Sequence, residues 1–487
     1  MRNRASQNVL GDIIHSSPYY VKETDTVYVG ANDGMLHAFN ASNGEELFAY
    51  IPSALIPKLK NLSQPNYTHD YFVDGDIVVS NRSQTGGRNY LVATLGHGGK
   101  GLFGLDVTNP NGFSTSDVKW ECFNSGGTVA ACNGDPDLGY MLGRPVIAKM
   151  NNGVWAVIVG NGYNSTSGKA VLYIFDLATG GVIKKIDTGV AGDNGLAAPA
   201  VVDEDNDGDA DVIYAGDLKG NVWKFDVSRA NTNQWNSAFM SGTNPQPFFV
   251  AMDSAGNPQP ITAQIMVAVN PVPDDPHYNK RYLFFGTGSY FRSGDPGDTQ
   301  VQSWYGLIDE GTPITGRSDL KQRSIESEGT FDGKPVRTFG AASAGDMVGK
   351  KGWFVDFTTR PGERIVTASK LFTGAEPVLI ASSIIPKSDP CLPGGDGFVN
   401  AINPFTGGRL TYGFFDLNDN KDFSDDTLND KPIGGVDLGV GMPSEPVIVG
   451  DRLVVGGSKG TVESVRINVG VQPFKGRISW REIILEN

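Results

Sequence analysis

Short runs of apolar residues, many of them β-branched or aromatic, recur along the chain and alternate with turns rich in Gly, Asn and Asp. In seven places two such runs follow each other across a turn of small residues, a pattern that predicts a β-hairpin. Long segments with apolar residues at helical spacing are missing from the sequence. The pattern therefore favours an all-β fold. The predicted hairpins cover residues 27–40, 90–106, 155–176, 212–226, 282–309, 378–403 and 453–462.

These hairpins form a weak repeat whose spacing is too irregular for a solenoid but is typical of a β-propeller with insertions. One blade cannot bury both faces of its sheet, so successive blades must pack against one another. We therefore predict a modified β-propeller of about seven irregular blades, formed by a single domain over residues 1–487. Three stretches interrupt the repeat with polar, Gly-rich or Pro-rich sequence and predict long loop insertions, at 229–262, 310–350 and 384–396.

The composition limits the kinds of partner. The chain has 487 residues and a net charge of −14, which argues against nucleic acid or an anionic membrane surface as the main partner. No apolar run reaches the roughly 18 residues that a transmembrane helix needs, so no transmembrane segment is predicted. The first residues do not form a signal peptide. We expect the chain to be the C-terminal part of a longer precursor.

The cysteines give a hint about the compartment. Cys122 and Cys132 flank a Gly-containing loop that a disulfide could close, which suits an oxidising environment. Two free thiols are the alternative that the sequence leaves open. Cys391 has no evident partner.

The most distinctive polar stretch has an Asp at every second position from 203 to 211. Its carboxylates repel one another, and no Lys or Arg stands among them. Ca²⁺ binds six to eight oxygens at about 2.3–2.6 Å, and a loop with oxygens at alternate positions can surround one ion. We therefore predict a calcium loop in which a glycine at 208 allows the sharp turn. The predicted ligands are the side chains of Asp203, Asp205, Asp207 and Asp211 and the backbone carbonyl of Asp209.

The residues on either side of this loop predict strands. Residues 199–202 and 212–214 are short runs with β-branched or aromatic residues. Tyr214 occupies position 12, where a helix–loop–helix calcium site has its bidentate Glu, so Asp211 must close the loop. The alternative interpretation is a solvated acidic turn without a metal.

A second stretch, residues 416–426, again has oxygen-bearing side chains at alternate positions and could be a second calcium loop. Two features count against this: Lys421 stands where the glycine is expected, and Thr427 stands at position 12. The alternative is a solvated loop rich in Asx turns. The candidate ligands are Asp416, Asn418, Asn420, Asp422 and Ser424.

Other polar residues give no catalytic or zinc-binding pattern. The five histidines are scattered, without the spacing of three or four residues that a zinc site usually has, so no zinc site is predicted. The Gly-rich stretch 96–101 lacks the Gly-Lys-Ser/Thr ending of a phosphate-binding loop. The sequence therefore predicts a protein that is not an enzyme.

Seven short motifs follow one another in an order that resembles the C-terminal propeller domain of the PilC/PilY proteins. These proteins are tip-associated adhesins and biogenesis factors of type IV pili. Each motif is weak alone, but together they cover nearly the whole chain. The motifs are residues 11–18, 71–75, 96–106, 143–146, 160–165, 285–288 and 476–482.

This resemblance implies a calcium loop in one blade, which falls here on residues 203–211. It also implies a factor at the outer membrane or cell surface whose calcium occupancy regulates pilus extension against retraction, and with it twitching motility and attachment. The implied partners are pilus subunits (minor pilins), the N-terminal region of the same precursor, and a host or abiotic surface. Some members have an Arg-Gly-Asp tripeptide for host integrins; this sequence has none.

Two other classes of propeller share some of these features. Residues 30–44 are similar to blades of quinoprotein dehydrogenases, which also use calcium, but the adjacent cysteines of many such enzymes and their regular tryptophan pattern are missing here. A quinoprotein-dehydrogenase-like enzyme is the main alternative. Integrin-like propellers repeat the calcium loop in several blades, whereas the pattern of residues 203–211 occurs once in this form.

Overall fold

The computed structural model describes residues 10–373, 376–387 and 394–470. Within these residues the regular secondary structure is almost entirely β. It consists of 37 strands, numbered here in chain order, and eight short 3-10 helices. The 3-10 helices are Ser53–Ser63, Gly96–Gly98, Pro110–Gly112, Thr115–Asp117, Ala130–Cys132, Thr232–Gln234, Asp295–Gly297 and Arg317–Asp319.

The first four sheets follow one another along the chain. Sheet 1 has β1 (Tyr19–Val21), β2 (Thr26–Gly30), β3 (Leu36–Asn40) and β4 (Glu46–Tyr50). Sheet 2 has β5 (Ile77–Val79), β6 (Tyr90–Thr94), β7 (Gly101–Asp106), β8 (Val118–Phe123) and β9 (Gly126–Gly127). Sheet 3 has β10 (Val146–Lys149), β11 (Trp155–Gly160), β12 (Val171–Asp176) and β13 (Val182–Asp187). Sheet 4 has β14 (Ala200–Val202), β15 (Val212–Gly216), β16 (Asn221–Asp226) and β17 (Asn236–Ser237), and β20 (Phe249–Val250) pairs with β16; β18 (Phe239–Ser241) and β19 (Asn244–Gln246) form a separate ribbon.

The remaining sheets have longer connections between their strands. Sheet 5 has the order β21 (Met266–Val269), β22 (Arg281–Gly286), β23 (Ser303–Asp309), β27 (Gly352–Asp356) and β24 (Lys321–Arg323). Sheet 6 has the order β25 (Ile325–Phe331), β26 (Lys334–Phe339), β34 (Gly435–Val436), β30 (Gly395–Ile402), β29 (Pro377–Pro386) and β28 (Lys370–Thr373). Sheet 7 has the order β31 (Phe415–Asp416), β37 (Val462–Ile467), β36 (Arg452–Gly456) and β35 (Val447–Val449); β32 (Thr427–Leu428) and β33 (Lys431–Pro432) form a second ribbon.

The described residues thus form seven sheets of four or more strands, which agrees with the predicted number of blades. Each sheet contains one of the seven predicted hairpins as adjacent strands, so all seven predictions are confirmed. The hairpins are β2–β3, β6–β7, β11–β12, β15–β16, β22–β23, β29–β30 and β36–β37.

The chain divides into two compact units, 1–217 with 223–246 and 218–222 with 247–487. In the first unit, alternate residues of a strand enter different cores, because successive side chains of a strand point to opposite faces. Ala156 and Ile158 of β11 pack in a core with residues of sheet 4, while Val157 and Val159 pack in a core with residues of sheet 2. Burial on both faces explains why these strands are continuous apolar runs in the sequence.

The second unit follows the same rule. Leu379 and Ala381 of β29 lie in a core with residues of sheet 5, while Val378 and Ile380 lie in a core with residues of sheet 7. Within each unit, neighbouring sheets therefore bury each other's faces, as the repeat predicted. That all 487 residues form one domain stays a prediction.

The predicted loop insertions need a correction, because two of them contain strands. Residues 229–262 include β17 to β20, and residues 310–350 include β24 to β26. Five residues of β25 are half-buried and two are exposed, so the strand carries Ser, Glu and Thr rather than an apolar run. Its sequence therefore resembled a loop. In the stretch 384–396, β29 continues to Pro386 and β30 begins at Gly395, and residues 388–393 lie outside the described part of the chain.

Cys122 and Cys132 form a disulfide, which settles the alternative that the sequence left open. Cys122 lies in β8 and Cys132 ends a 3-10 helix, and both are buried. Cys391 lies outside the described residues, as does the motif at 476–482. No helix of the described residues has the length and apolar character needed to cross a membrane.

A buried ion pair lies inside the second unit. Arg337 of β26 donates two hydrogen bonds to Glu363, at 3.0 and 2.6 Å, and neither side chain is exposed to solvent. Ser383 and Asn400 accept further hydrogen bonds from the same guanidinium. The charge is thus paired and fully hydrogen-bonded, which is the condition under which a protein interior tolerates it.

Candidate metal centre

The loop of residues 203–211 joins two paired strands. β14 and β15 run antiparallel with Ala200 opposite Tyr214 and Val202 opposite Val212. The N–H of Asp211 donates to the carbonyl of Val202 over 2.9 Å and closes the base of the loop. The predicted strand–loop–strand arrangement is therefore confirmed, and the first and last carboxylates meet at the end of the strand pair.

Two residues of the loop have left-handed backbone conformations, Asn206 with φ 65° and Gly208 with φ 96°. Asn is one of the residues that tolerate this region, and glycine adopts it without strain. The resulting turn directs the N–H groups of both residues at Asp203, whose two carboxylate oxygens accept them at 2.6 and 3.0 Å. The loop is therefore wound around its first carboxylate.

Three of the five predicted ligands come together. Carboxylate oxygens of Asp203, Asp205 and Asp211 all lie within 4.8 Å of one another. Asp203 and Asp211 are buried, whereas Asp205 is exposed. The N–H of Asp207 lowers the pKa of Asp205, but slight burial and the charges of Asp207, Asp211 and Asp203 outweigh it and raise the pKa. The cluster thus has an excess of negative charge that a cation would relieve.

The other two predicted ligands have different surroundings. The side chain of Asp209 forms an ion pair with Lys149, with Oδ1 2.6 Å from Nζ, and so points away from the cluster of three. Its carbonyl is the predicted ligand, and that role stays a prediction. Asp207 is exposed at the tip of the loop, and its carboxylate accepts the N–H of Asp209 at 2.8 Å. Its role as a ligand stays a prediction.

Neighbouring segments hold the base of the loop. The N–H of Ala210 donates to the carbonyl of Lys149 at 2.8 Å, and the amide of Asn151 donates to the carbonyl of Ala210 at 2.9 Å. The same amide donates to Asp211 at 3.2 Å, and the N–H of Val227 donates to the carbonyl of Asp211 at 2.8 Å. The base is therefore fixed by strand pairing and by side-chain contacts, while residues 204–207 are exposed.

Hard oxygen donors suit Ca²⁺, which takes carboxylate and carbonyl oxygens in flexible geometry. The donor set of this loop consists of carboxylates and one backbone carbonyl, with no nitrogen or sulfur ligand. A softer metal such as zinc would favour His or Cys. The residues therefore fit calcium, and the assignment of calcium stays a prediction.

The second acidic loop begins at Asp416 in β31. Both carboxylate oxygens of Asp416 accept backbone N–H groups, from Asn420 at 3.1 Å and from Lys421 at 3.0 Å. Ser424, a candidate ligand, instead donates its hydroxyl to Asp422 at 2.6 Å. Asp426 was not among the candidate ligands predicted from the sequence. Its carboxylate accepts the N–H of Leu417 at 2.9 Å.

Asp426 is buried, with 1% of its surface exposed. This burial raises its pKa to about 6, since the N–H of Leu417 offsets only part of the effect and the charges of Asp425, Asp416 and Asp422 add to it. A buried carboxyl among three others is the feature of this loop that the alternate-residue pattern did not show.

The structure also corrects the view that the histidines are scattered. Nδ1 of His15 lies 2.7 Å from Asp74, and Nδ1 of His97 lies 3.0 Å from the same carboxylate oxygen. Burial raises the pKa of Asp74, but the hydrogen bonds and charges of the two imidazoles hold it below its usual range. His69 lies close by against Tyr71 and pairs with Asp12. Each of these residues, apart from His69, lies in one of the first three motifs of the resemblance, and this was the signal that could have identified the cluster.

Comparison with known proteins gives consistent matches. A family model described as the PilY1 beta-propeller domain matches residues 11–328. The type IV pilus biogenesis factor PilY1 homolog of Xylella fastidiosa is 38% identical over 515 residues, which cover 99% of this chain and 39% of that protein. PilY1 of Pseudomonas aeruginosa is 33% identical over 561 residues, covering 99% of this chain and 46% of that protein. The chain thus spans less than half the length of these curated relatives.

Among solved structures, the crystal structure of the Pseudomonas aeruginosa PilY1 C-terminal domain matches with a TM-score of 0.70 and 32% identity. The match covers 92% of this chain and 93% of that domain. Together with the family model, this match confirms the predicted fold class, an all-β modified propeller.

Proposed function

The chain belongs to the PilY1 β-propeller family, and we propose that it is a calcium-binding type IV pilus factor in which occupancy of the loop 203–211 regulates pilus extension against retraction. The relatives are named as type IV pilus biogenesis factors. The single observation that carries the calcium part of the proposal is the convergence of three carboxylates from Asp203, Asp205 and Asp211. Attachment to surfaces and twitching motility follow from pilus extension and retraction in this proposal.

The proposed switch follows from where the loop is fixed and where it is not. Asp203 and Asp211 are buried at the base, and the base is held by Lys149, Asn151 and the strand pair. Repulsion among the carboxylates therefore acts on the exposed tip, residues 204–207. Calcium would supply the positive charge that removes this repulsion. The tip then becomes ordered. A partner can sense the difference between the ordered, calcium-bound tip and the calcium-free tip.

The proposed partners are pilus subunits of the minor pilin type and the N-terminal region of the same precursor, since the chain spans only 39–46% of its curated relatives. The tip is acidic and exposed, with Glu204, Asp205 and Asp207 at its surface. A partner that senses the calcium-free tip would present basic residues to it. In this proposal the protein acts at the cell surface, associated with the pilus, and is not an enzyme. A propeller enzyme of the quinoprotein type would instead reduce a dye in the presence of an alcohol or a sugar.

The proposal is tested by calorimetry and by a retraction assay with the same variants. Asp211→Asn is expected to abolish calcium binding at the loop, because it removes the buried closing carboxylate. Glu204→Gln is the matched control, since it removes one negative charge from the same loop at a position that is not a ligand. If Asp211→Asn abolishes binding but leaves retraction unchanged, the ion only stabilises the loop and the switch is refuted.

A further inference from the structure

The two acidic loops have the same backbone turn. In the first loop, left-handed conformations occur at the fourth and sixth positions, Asn206 and Gly208. In the second loop they occur again at the fourth and sixth positions, Asp419 with φ 55° and Lys421 with φ 70°. Lys421 therefore adopts the conformation of the glycine that it replaces, and its presence does not prevent the turn.

The closing carboxylates of the two loops also make the same contact. In the first loop, Asp211 accepts the N–H of the second residue, Glu204, at 2.7 Å. In the second loop, Asp426 accepts the N–H of the second residue, Leu417, at 2.9 Å. The second loop is two residues longer, so its closing carboxylate stands at position 11 instead of position 9. Position 9, Ser424, is thereby displaced from the role that the sequence pattern gave it.

Asp426 provides an independent observation that points to a ligand. Its Oδ1 accepts the N–H of Leu417, whereas its Oδ2 is buried and has no hydrogen-bond partner. Because Oδ1 contacts Leu417, the residue that follows Asp416, the carboxyl of Asp426 lies at the base of the loop. A buried carboxylate oxygen without a partner is unfavourable unless another group satisfies it. A cation inside the loop is the group that would do so.

Asp425 and the loop backbone fix the side-chain amides of Asn418 and Asn420. The amide nitrogens of both side chains donate to Asp425, at 3.3 and 2.7 Å. The oxygens accept backbone N–H groups of the loop, from Asn420 at 3.1 Å and from Asp422 at 2.7 Å. Asp425 thus fixes both amide nitrogens, which leaves the oxygens toward the backbone of the loop.

We propose that the loop 416–426 is a second site for a hard divalent cation, of which calcium is the expected one. Its side-chain ligands are Asp416, Asn418, Asn420 and Asp426, and Asp422 contributes its carbonyl as Asp209 does in the first loop. This inference rests in part on the proposed function, because the first loop is its template.

The second site binds more weakly than the first. Two of its four side-chain ligands are neutral amides, whereas the first loop has carboxylates, and calcium affinity follows the charge of the ligands. The guanidinium of Arg466 lies 3.5 Å from Asp416 and 3.2 Å from Asp419, which further reduces the negative potential. Lys421 adds another positive charge to the loop.

The test is the number of calcium ions bound per chain, measured by elemental analysis after equilibrium dialysis of the whole 487-residue chain. Wild type is expected to bind two ions, and Asp426→Asn one. Asp430→Asn is the matched control, because it removes the same charge from the exposed turn after the loop, at a residue that is not a proposed ligand and whose left-handed backbone Asn tolerates, and it is expected to bind two. A wild type that binds one ion and loses none on Asp426→Asn overturns the inference.

Asp211→Asn tests the first loop separately. It is expected to reduce the number of calcium ions bound per chain from two to one. If Asp211→Asn changes nothing while Asp426→Asn removes one ion, the proposed function fails and the second site stands. If only Asp211→Asn removes an ion, the first loop binds calcium and the second site is refuted.

A second variant, which should bind calcium more tightly, tests the inference if Asp426→Asn does not fold. Lys421→Gly supplies the glycine of the first loop and removes a positive charge, so the weaker calcium site is expected to bind roughly two- to threefold tighter. Isothermal titration measures this change. An unchanged affinity in Lys421→Gly contradicts the proposed position of the ion.

Discussion

Replacement of Asp211 by Asn should change the stability in opposite directions with and without calcium. Carboxylate oxygens of Asp203 and Asp211 lie within 4.8 Å of each other. At that separation two charges repel by about 0.9 kcal/mol in water and by about 3.5 kcal/mol at an effective dielectric constant of about 20. The substitution removes this repulsion, but the single oxygen of the Asn amide keeps only one of the two hydrogen bonds that Asp211 accepts, from Asn151 and from Glu204, and this loss offsets about 1 kcal/mol. In calcium-free buffer the variant is therefore expected to be as stable as wild type or up to about 2.5 kcal/mol more stable.

Calcium reverses this order. An ion that binds the folded state stabilises it by about 2.7 kcal/mol when its concentration is 100 times the dissociation constant. Wild type gains this amount at the first loop, and Asp211→Asn does not. Thermal and urea unfolding, each with calcium and with a chelator, give the calcium-dependent gain for both proteins. Any contribution of the second loop is common to both and cancels in the comparison.

Glu204→Gln serves as the control for charge alone. It lies in the same exposed tip and should retain the full calcium-dependent gain. A result in which Asp211→Asn destabilises the protein equally in calcium and in chelator would refute the reasoning, because the carboxylate would then have only a structural role.

Three further predictions concern the packing and titration of buried groups. Glu363→Gln leaves the buried guanidinium of Arg337 without its close carboxylate, since Glu328 lies 4.0 Å away and pairs with Arg360, so we expect a loss of about 3–5 kcal/mol in urea unfolding; a loss below about 1 kcal/mol would contradict this. Gly104→Ala would place a Cβ 2.3 Å from the buried indole of Trp120, and we expect a loss of about 1–3 kcal/mol, seen as a lower thermal midpoint. The raised pKa of Asp426, about 6, favours the protonated folded state, so in calcium-free buffer stability should fall by about 1–2 kcal/mol as the pH rises from about 4 through 6. Asp426→Asn should flatten this pH profile, and a wild type equally stable at both pH values would contradict the assignment.

The sequence predicted the central hairpins of all seven sheets because most of their strands are largely buried; β37, with its first three residues exposed, is an exception. Residues 156–159 of β11 and 378–381 of β29 all enter a core, so each stretch is an unbroken apolar run. β25 was missed for the opposite reason. Its side chains are half-buried or exposed, and a strand without a buried face leaves no periodic signal in the sequence.

How well the sequence predicted each candidate site depends on how close its residues are along the chain. The candidate ligands of the first loop are close in sequence, so their spacing alone predicted that Asp203, Asp205 and Asp211 come together. In the second loop, Asp426 continues the alternate pattern, but it was missed because the first loop closes at position 9, which is Ser424 here, and the second loop closes two residues later. The cluster around Asp74 joins residues 59 and 23 positions away in sequence, and no local spacing can indicate such a contact.

If both proposed sites bind calcium, the two loops would respond to it over different concentration ranges. One loop lies in each compact unit, and both are closed by a buried carboxylate that accepts the N–H of the second loop residue. They differ in ligand charge: Asp205 and Asp207 of the first loop correspond to Asn418 and Asn420 of the second. Because calcium affinity depends on the charge of the ligands, the two loops are expected to fill at different calcium concentrations. A response of retraction that follows only the tighter site would assign the switch to the first loop and a stabilising role to the second.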